Sequence, residues 1–229
     1  MNSMQSKNIC CIAPFTETSD FFKLTRDLYG KFNDVQTVGV KYAKEIPQAL
    51  ADFAYAVPGV IEKAKEKEAE GCDGIIIGCL SDTGYEEAKE VVNIPVVGPL
   101  HASLVLANMI GYKFSVILPD EMLVAPIEKL IKKYGFLSNL ASTRCVSGRV
   151  TNIECSAAND EIVKNSVGRI LECIEKDRAN SVILGCFSMI PMVGAIRKAI
   201  TPKYPIDVIN PVDASYYMVE MLRNIRTLM

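Results

Sequence analysis

Residues 75–81 read Ile-Ile-Ile-Gly-Cys-Leu-Ser, and residues 182–188 read Val-Ile-Leu-Gly-Cys-Phe-Ser. Each segment is a short apolar run that ends in glycine and cysteine, which is typical of a buried parallel strand followed by a loop. Ligands of α/β proteins bind at the carboxyl ends of such strands. The two segments therefore predict two equivalent strand ends, one carrying Cys79 and the other Cys186.

Two further pairs of segments repeat in the same order. Residues 9–14 match residues 114–119 as an apolar strand ending in proline, and residues 94–103 match residues 206–215. Three ordered matches at nearly constant spacing indicate two copies of one α/β unit. The sequence therefore predicts an α/β fold of two duplicated parallel-sheet lobes related by a pseudo-twofold axis.

Short apolar runs alternate with segments of helical period, as in strand–helix units repeated around parallel sheets. Predicted strands cover residues 9–13, 35–40, 74–77, 95–97, 114–118, 181–184 and 206–209. Predicted helices cover residues 19–29, 59–70, 86–91, 101–110, 121–134, 160–176, 192–199 and 214–226. We expect a first lobe of residues 1–97, completed by residues 205–229, and a second lobe of residues 98–204.

The composition favours a globular protein whose partner is a small molecule. Hydrophobic residues make up 49% of the chain, and 25 basic against 27 acidic residues give a net charge of −2. No block of one charge or unbroken apolar span stands out, which argues against nucleic acid or membrane as a partner. The N-terminus does not resemble a signal peptide, so we expect a cytoplasmic protein. With one histidine and no C-x-x-C pair, we expect no metal site.

Cys79 and Cys186 are the predicted catalytic residues. A helix is expected soon after each, with a capping box at Thr83 and Glu86 after the first and Ser188 as N-cap after the second. A helix N-terminus stabilises a thiolate, so a cysteine placed there can act as a base near neutral pH. Two thiols on opposite sides of a substrate, one ionised and one protonated, can exchange a carbon-bound proton and invert a stereocentre.

The loops around the two cysteines supply the predicted substrate-binding residues. A carbanion beside a carbonyl needs fixed donors for its oxyanion, and backbone N–H groups and hydroxyls after each cysteine can provide them. The loops after the first strand of each copy lie at the equivalent strand ends. The predicted set is Pro14, Phe15, Thr16, Leu80, Ser81, Pro119, Phe187 and Ser188. For His101 a structural role is favoured over proton shuttling.

The cysteine segments resemble those of the aspartate/glutamate/hydantoin racemase superfamily, in particular its hydantoin and allantoin racemase branch. Residues 72–84 resemble the first cysteine motif, with Asp82 and Gly84 at matching positions, and residues 182–189 resemble the second, with Met189 matching. The resemblance implies two Rossmann-like (flavodoxin-like) lobes with the active site in the cleft between them, and no cofactor. It also implies a homo-oligomer and a substrate such as a 5-substituted hydantoin or an amino-acid derivative.

Three alternatives stay open at this point. An aspartate/glutamate-type racemase is disfavoured because Leu80-Ser81 and Phe187-Ser188 stand where those enzymes carry groups for carboxylate and ammonium. Decarboxylases and a cis–trans isomerase of the superfamily use one cysteine, so the presence of two favours racemisation. A non-catalytic metabolite-binding protein would have no need of two reactive thiols. The remaining cysteines are expected to be structural: Cys10, Cys11, Cys72, Cys145, Cys155 and Cys173.

Overall fold

The structure is a computed structural model that describes residues 8–44, 50–146, 160–200 and 204–228. The chain divides into two compact units. The first unit runs to Pro99 and is completed by the segment from Ser215 onward, and the second unit is Leu100–Ala214.

The first unit contains a four-stranded parallel sheet. Its strands are β1 (Ile9–Ala13), β2 (Val35–Gly39), β3 (Gly74–Ile77) and β4 (Val96–Val97), and its helices are α1 (Asp20–Tyr29), α2 (Leu50–Ala54), α3 (Val57–Ala69) and α4 (Tyr85–Val91). The strand order is β2-β1-β3-β4. All three strand pairings are parallel.

The second unit repeats this topology. Its elements are α5 (Pro99–Ile110, which starts at the unit boundary), β5 (Phe114–Leu118), α6 (Val124–Lys133), β6 (Leu140–Cys145), α7 (Asp160–Glu175), β7 (Ser181–Leu184), α8 (Val193–Ile200), β8 (Asp207–Ile209) and α9 (Pro211–Thr227). The order β6-β5-β7-β8 is parallel throughout. Two parallel four-stranded α/β lobes confirm the predicted fold class.

The inner strands form the core of each sheet. Every residue of β1, β3, β5 and β7 is buried. A strand covered on both faces reads as a continuous apolar run rather than an alternating one. These four strands have the bounds that the sequence predicts, because each apolar run ends at a proline, a glycine or a polar residue.

The edge strand β6 was not predicted. Its six residues are only partly buried and read Leu-Ala-Ser-Thr-Arg-Cys, which is not an apolar run. Polar contacts stabilise this strand instead. Arg144 Nε donates to Asp177 Oδ2 at 2.6 Å, and Ser142 Oγ donates to the same oxygen at 2.6 Å. The Arg144 guanidinium holds the pKa of the Asp177 carboxyl below its usual range.

The C-terminal segment contributes to both units. Strand β8 pairs with β7, which places residues 207–209 in the second unit, although the sequence predicts residues 205–229 in the first lobe. Helix α9 crosses the division, and its later part packs in the first unit. Tyr29 Oη lies 2.7 Å from Ser215 Oγ, and Arg223 Nη2 donates to Asp73 Oδ2 at 2.7 Å.

Two smaller differences concern helices. The helix predicted from residue 121 begins as a 3₁₀ turn, Glu121–Leu123, before α6. Helix α2 has five residues and no predicted counterpart. Across the described parts of the chain, no helix combines the length and apolarity needed to cross a membrane.

Candidate active site

Cys79 lies directly after β3, at the carboxyl end of the first sheet. The preceding residue, Gly78, donates its N–H to the Ile12 carbonyl at 2.8 Å. A Cβ on Gly78 would lie 2.8 Å from Thr25 Cγ2 and 2.9 Å from Ala13 Cα, so no side chain fits there. Close packing is therefore the reason for glycine at this position, because the φ of Gly78 is not in the left-handed region.

Cys186 occupies the equivalent place after β7 in the second sheet. Gly185 donates its N–H to the Ile117 carbonyl at 2.6 Å. A Cβ on Gly185 would lie 2.4 Å from Leu118 Cδ2 and 2.7 Å from Ile117 O. In both copies the end of the strand therefore packs against the neighbouring inner strand, and the following cysteine lies at the carboxyl end of the sheet.

A serine hydroxyl contacts each of these sulfurs. Cys79 Sγ lies 3.1 Å from Ser81 Oγ, and Ser188 Oγ donates to Cys186 Sγ at 3.2 Å. In the first copy the contact continues, since Ser81 Oγ lies 2.7 Å from Thr83 Oγ1. Both cysteines are partly exposed. A hydroxyl contact thus helps to orient each sulfur.

The helices after the two cysteines begin differently from the prediction. The capping box at Thr83 and Glu86 is wrong, because the N-cap of α4 is Gly84 in a left-handed conformation with φ 77° and no side-chain cap bond. Thr83 contacts Ser81 instead. Ser188 is not an N-cap either, because it lies inside the 3₁₀ helix Phe187–Met192, whose N-cap is Cys186.

An aromatic cluster packs beside Cys79. Its buried members include Phe15 and Phe22, and Phe21, Phe53 and Cys79 pack against it. The Phe15 ring stacks on Phe21 with centroids 5.3 Å apart and meets Phe53 edge-on at 6.4 Å. The structure therefore brings the predicted Phe15 next to Cys79. Phe53 was missed because α2 is too short to show a helical period.

The family of the chain follows from its sequence. The model of the family described as "Asp/Glu/Hydantoin racemase" matches residues 18–219. The chain belongs to this family. It is an isomerase of the racemase type that acts on a small molecule.

Individual relatives agree with that assignment. A hydantoin racemase of a Pseudomonas species is 31% identical over 169 residues, which cover 72% of this chain and 67% of the relative. A hydantoin racemase of Rhizobium meliloti is 31% identical over 176 residues, covering 75% of this chain and 69% of the relative. The solved allantoin racemase of Klebsiella pneumoniae has the same fold, with a TM-score of 0.81, 22% identity, and coverage of 95% of this chain and 87% of that one.

The other predicted contact residues of this racemase lie in the same strand-end loops. Pro14 and Pro119 are buried directly after β1 and β5, and the Thr16 hydroxyl lies 3.2 Å from that of Thr18. The side chains of Leu80 and Phe187 are buried, with 5% and 7% exposed. Each of these two residues follows its cysteine directly in the sequence.

His101 packs in an aromatic stack. Its ring lies 4.7 Å from Tyr134 and 6.4 Å from Phe136, centroid to centroid. Such packing agrees with the structural role favoured by the sequence. Within the described ranges, no group of three His, Cys, Asp or Glu side chains could hold a metal ion.

The other described cysteines are buried, except Cys145, which is partly exposed and ends the edge strand β6. Cys10, Cys11, Cys72 and Cys173 are buried, and burial raises the pKa of the Cys11 thiol. Cys72 differs, because a hydrogen bond from Cys10 and another from the Gln36 amide lower its pKa to about 7. Cys155 lies outside the described residues.

Proposed function

We propose that this racemase inverts 5-substituted hydantoins without a cofactor, and that Cys79 and Cys186 are its acid/base pair. The observation that carries the proposal is the duplicated strand–Gly–Cys–x–Ser arrangement, with a hydroxyl on each sulfur at 3.1 and 3.2 Å. A racemase removes a proton from one face of a stereocentre and returns one to the opposite face, which calls for a pair of proton carriers. Two equally built cysteines supply such a pair.

In the proposed reaction the cysteines act in sequence on one carbon. One thiolate removes the proton from the stereogenic carbon, and the electron pair moves into the neighbouring carbonyl to give an enolate. The other thiol then delivers its proton to the opposite face, which leaves the inverted product and exchanges the ionisation states of the two sulfurs. The N–H groups after each cysteine are the proposed donors to the enolate oxygen.

The surroundings of Cys79 favour an apolar substituent on the substrate. The Phe15, Phe21 and Phe53 rings offer stacking and edge-on contacts, which suit an aromatic or aliphatic group. A free amino acid would need charged partners for its carboxylate and ammonium, and the buried Leu80 and Phe187 are apolar. The hydantoin racemases that the chain resembles point to the same substrate class. The cytoplasmic location and the homo-oligomer stay predictions.

The test is single substitution of each cysteine. Cys79→Ala and Cys186→Ala are each expected to lower racemisation of 5-benzylhydantoin by about 10²- to 10⁴-fold, since each removes one proton carrier. Optical rotation and α-proton exchange in D₂O measure the loss. Cys72→Ala is the control, because Cys72 has a thiol with a lowered pKa but precedes β3, at the end of that strand opposite to Cys79. Full activity in either test variant would refute the two-cysteine mechanism.

A further inference from the structure

We propose that Asp82 is a positioning residue for the loop that carries Cys79, and that position 98 is glycine because the Asp82 carboxylate occupies the space of a side chain there. This inference rests on the proposed role of Cys79. It explains how a loop without an immediate helix cap is held in one conformation.

The backbone of Asp82 closes the turn that starts at Cys79. Its N–H donates to the Cys79 carbonyl at 3.1 Å, and its carbonyl accepts from the Tyr85 N–H at 3.0 Å. Asp82 adopts a φ of 49°, in the left-handed region, and only 5% of the residue is exposed. That conformation is unfavourable for most residues with a Cβ, and aspartate adopts it more readily because its short polar side chain can hydrogen-bond locally. The contacts of this buried side chain therefore help to stabilise it.

The Asp82 carboxylate lies against Gly98. A Cβ on Gly98 would be 2.5 Å from Asp82 Cγ and 2.6 and 2.8 Å from the two carboxylate oxygens. A Cβ atom does not approach other heavy atoms this closely, so any other residue at position 98 displaces the Asp82 carboxylate. Gly98 also directly precedes Pro99, where α5 begins, and a negative charge is stabilised beside a helix N-terminus. The Asp82 carboxylate is therefore held in one position.

The position of the Asp82 carboxylate constrains the hydroxyl groups around Cys79. Asp82 stands between Ser81 and Thr83, whose side chains contact each other at 2.7 Å, and Ser81 contacts the Cys79 sulfur at 3.1 Å. A shift of Asp82 moves both neighbours along the chain. The orientation of the sulfur thus depends on a contact made by a residue three positions away.

The second copy of the repeat has different residues at these two positions. By alignment Asp82 corresponds to Met189 and Gly98 to Asn210. Met189 is fully buried, and Asn210 Oδ1 accepts from the Val212 N–H at 3.0 Å at the start of α9. In the second copy the Asn210 side chain therefore caps α9. The loop after Cys186 contains no carboxylate. The two positions differ together, as contacting residues would.

The first experiment is Gly98→Ala in the full chain. We expect kcat for 5-benzylhydantoin to fall on the order of 10- to 100-fold, since small displacements of reacting groups have such effects, while KM changes by less than about threefold. Peptide mapping after brief iodoacetamide treatment should show a changed alkylation rate at Cys79 and an unchanged rate at Cys186. Gly168→Ala is the control, because its Cβ meets nothing within 4 Å.

A double-mutant cycle then tests the contact itself. Asp82→Gly keeps the left-handed conformation accessible but removes the carboxylate, so adding Gly98→Ala in that background is expected to cost less than about twofold. If Gly98→Ala does not fold, Asp82→Asn replaces it, with an expected kcat loss of roughly 3- to 10-fold from the missing charge.

Two results would overturn the inference. One is a Gly98→Ala enzyme with kcat within twofold of the parent, and the other is the same loss from Gly98→Ala in both backgrounds. The Cys79→Ala variant separates this failure from that of the proposed function. If Cys79→Ala is active, the proposed function fails. If Cys79→Ala is inactive and position 98 tolerates alanine, only the role of Asp82 fails.

Discussion

The two copies of the repeat share the strand, the glycine and the serine contact to the sulfur, but their backbones follow different paths after the cysteine. In both, a buried strand ends at a glycine packed against the central strand, and a serine two residues beyond the cysteine contacts the sulfur. After Cys79 the chain makes a turn through left-handed Asp82 and Gly84 before α4 begins. After Cys186 it enters a 3₁₀ helix at once.

The proposed chemistry accounts for this difference. The position of the sulfur and its hydroxyl partner are the same in both copies, whereas the path that leads back to a helix is not. Proton transfer depends on the reacting atoms and their immediate contacts. The aromatic cluster beside Cys79 belongs to the first copy, and under the proposed function it recognises the substituent of the substrate.

The largest expected effect on stability comes from the two glycines before the cysteines. Gly185→Ala is expected to lower the free energy of unfolding by about 1–3 kcal/mol, because the new methyl group overlaps both a side chain and a backbone oxygen. Gly78→Ala should cost less, since its closest contacts are longer, at 2.8–3.0 Å. Urea denaturation measures both.

The same measurement needs a glycine without neighbours as its reference. Gly168 lies within α7, and alanine there is expected to raise the free energy of unfolding by up to about 1 kcal/mol. Equal stability of the Gly185→Ala, Gly78→Ala and Gly168→Ala proteins would contradict the close packing of the strand ends.

A smaller effect is expected from the serine hydroxyls. Ser81→Ala and Ser188→Ala should each lower kcat by about 2- to 10-fold, the equivalent of one net hydrogen bond. Thr83→Val should have a weaker effect than Ser81→Ala, because Thr83 reaches the sulfur only through Ser81. Steady-state rates on both enantiomers of 5-benzylhydantoin provide the comparison. A loss confined to one of the two serine variants would show that the copies are not equivalent in catalysis.

The sequence predicts the fold where burial alone determines structure. Every residue of β1, β3, β5 and β7 is buried and most are apolar, so the bounds of these strands can be read directly. Strand β6 could not be found in this way, because its stability comes from Arg144 and Ser142 contacting Asp177, more than thirty positions along the chain. The pattern of neighbouring residues along the chain does not reveal contacts between residues so far apart in sequence.

The same division applies to the candidate site. Duplication of Gly-Cys-x-Ser identified both cysteines and both serines from the sequence. The capping box at Thr83 was wrong because the local spacing fits a helix start, while the Thr83 hydroxyl is already committed to Ser81. The contact between Asp82 and Gly98 leaves no local pattern, since it joins a loop to the end of another strand.

The most direct test of the two-cysteine mechanism follows hydrogen during the first turnovers in D₂O. A single enantiomer of 5-benzylhydantoin is converted to a few per cent, and mass spectrometry reads the deuterium content of the inverted product. Since one thiol removes the substrate proton and a different, solvent-exchanged thiol returns one, nearly every product molecule should carry one deuterium. Inverted product that retains the original protium would show that a single group serves both faces and would contradict the pairing of Cys79 with Cys186.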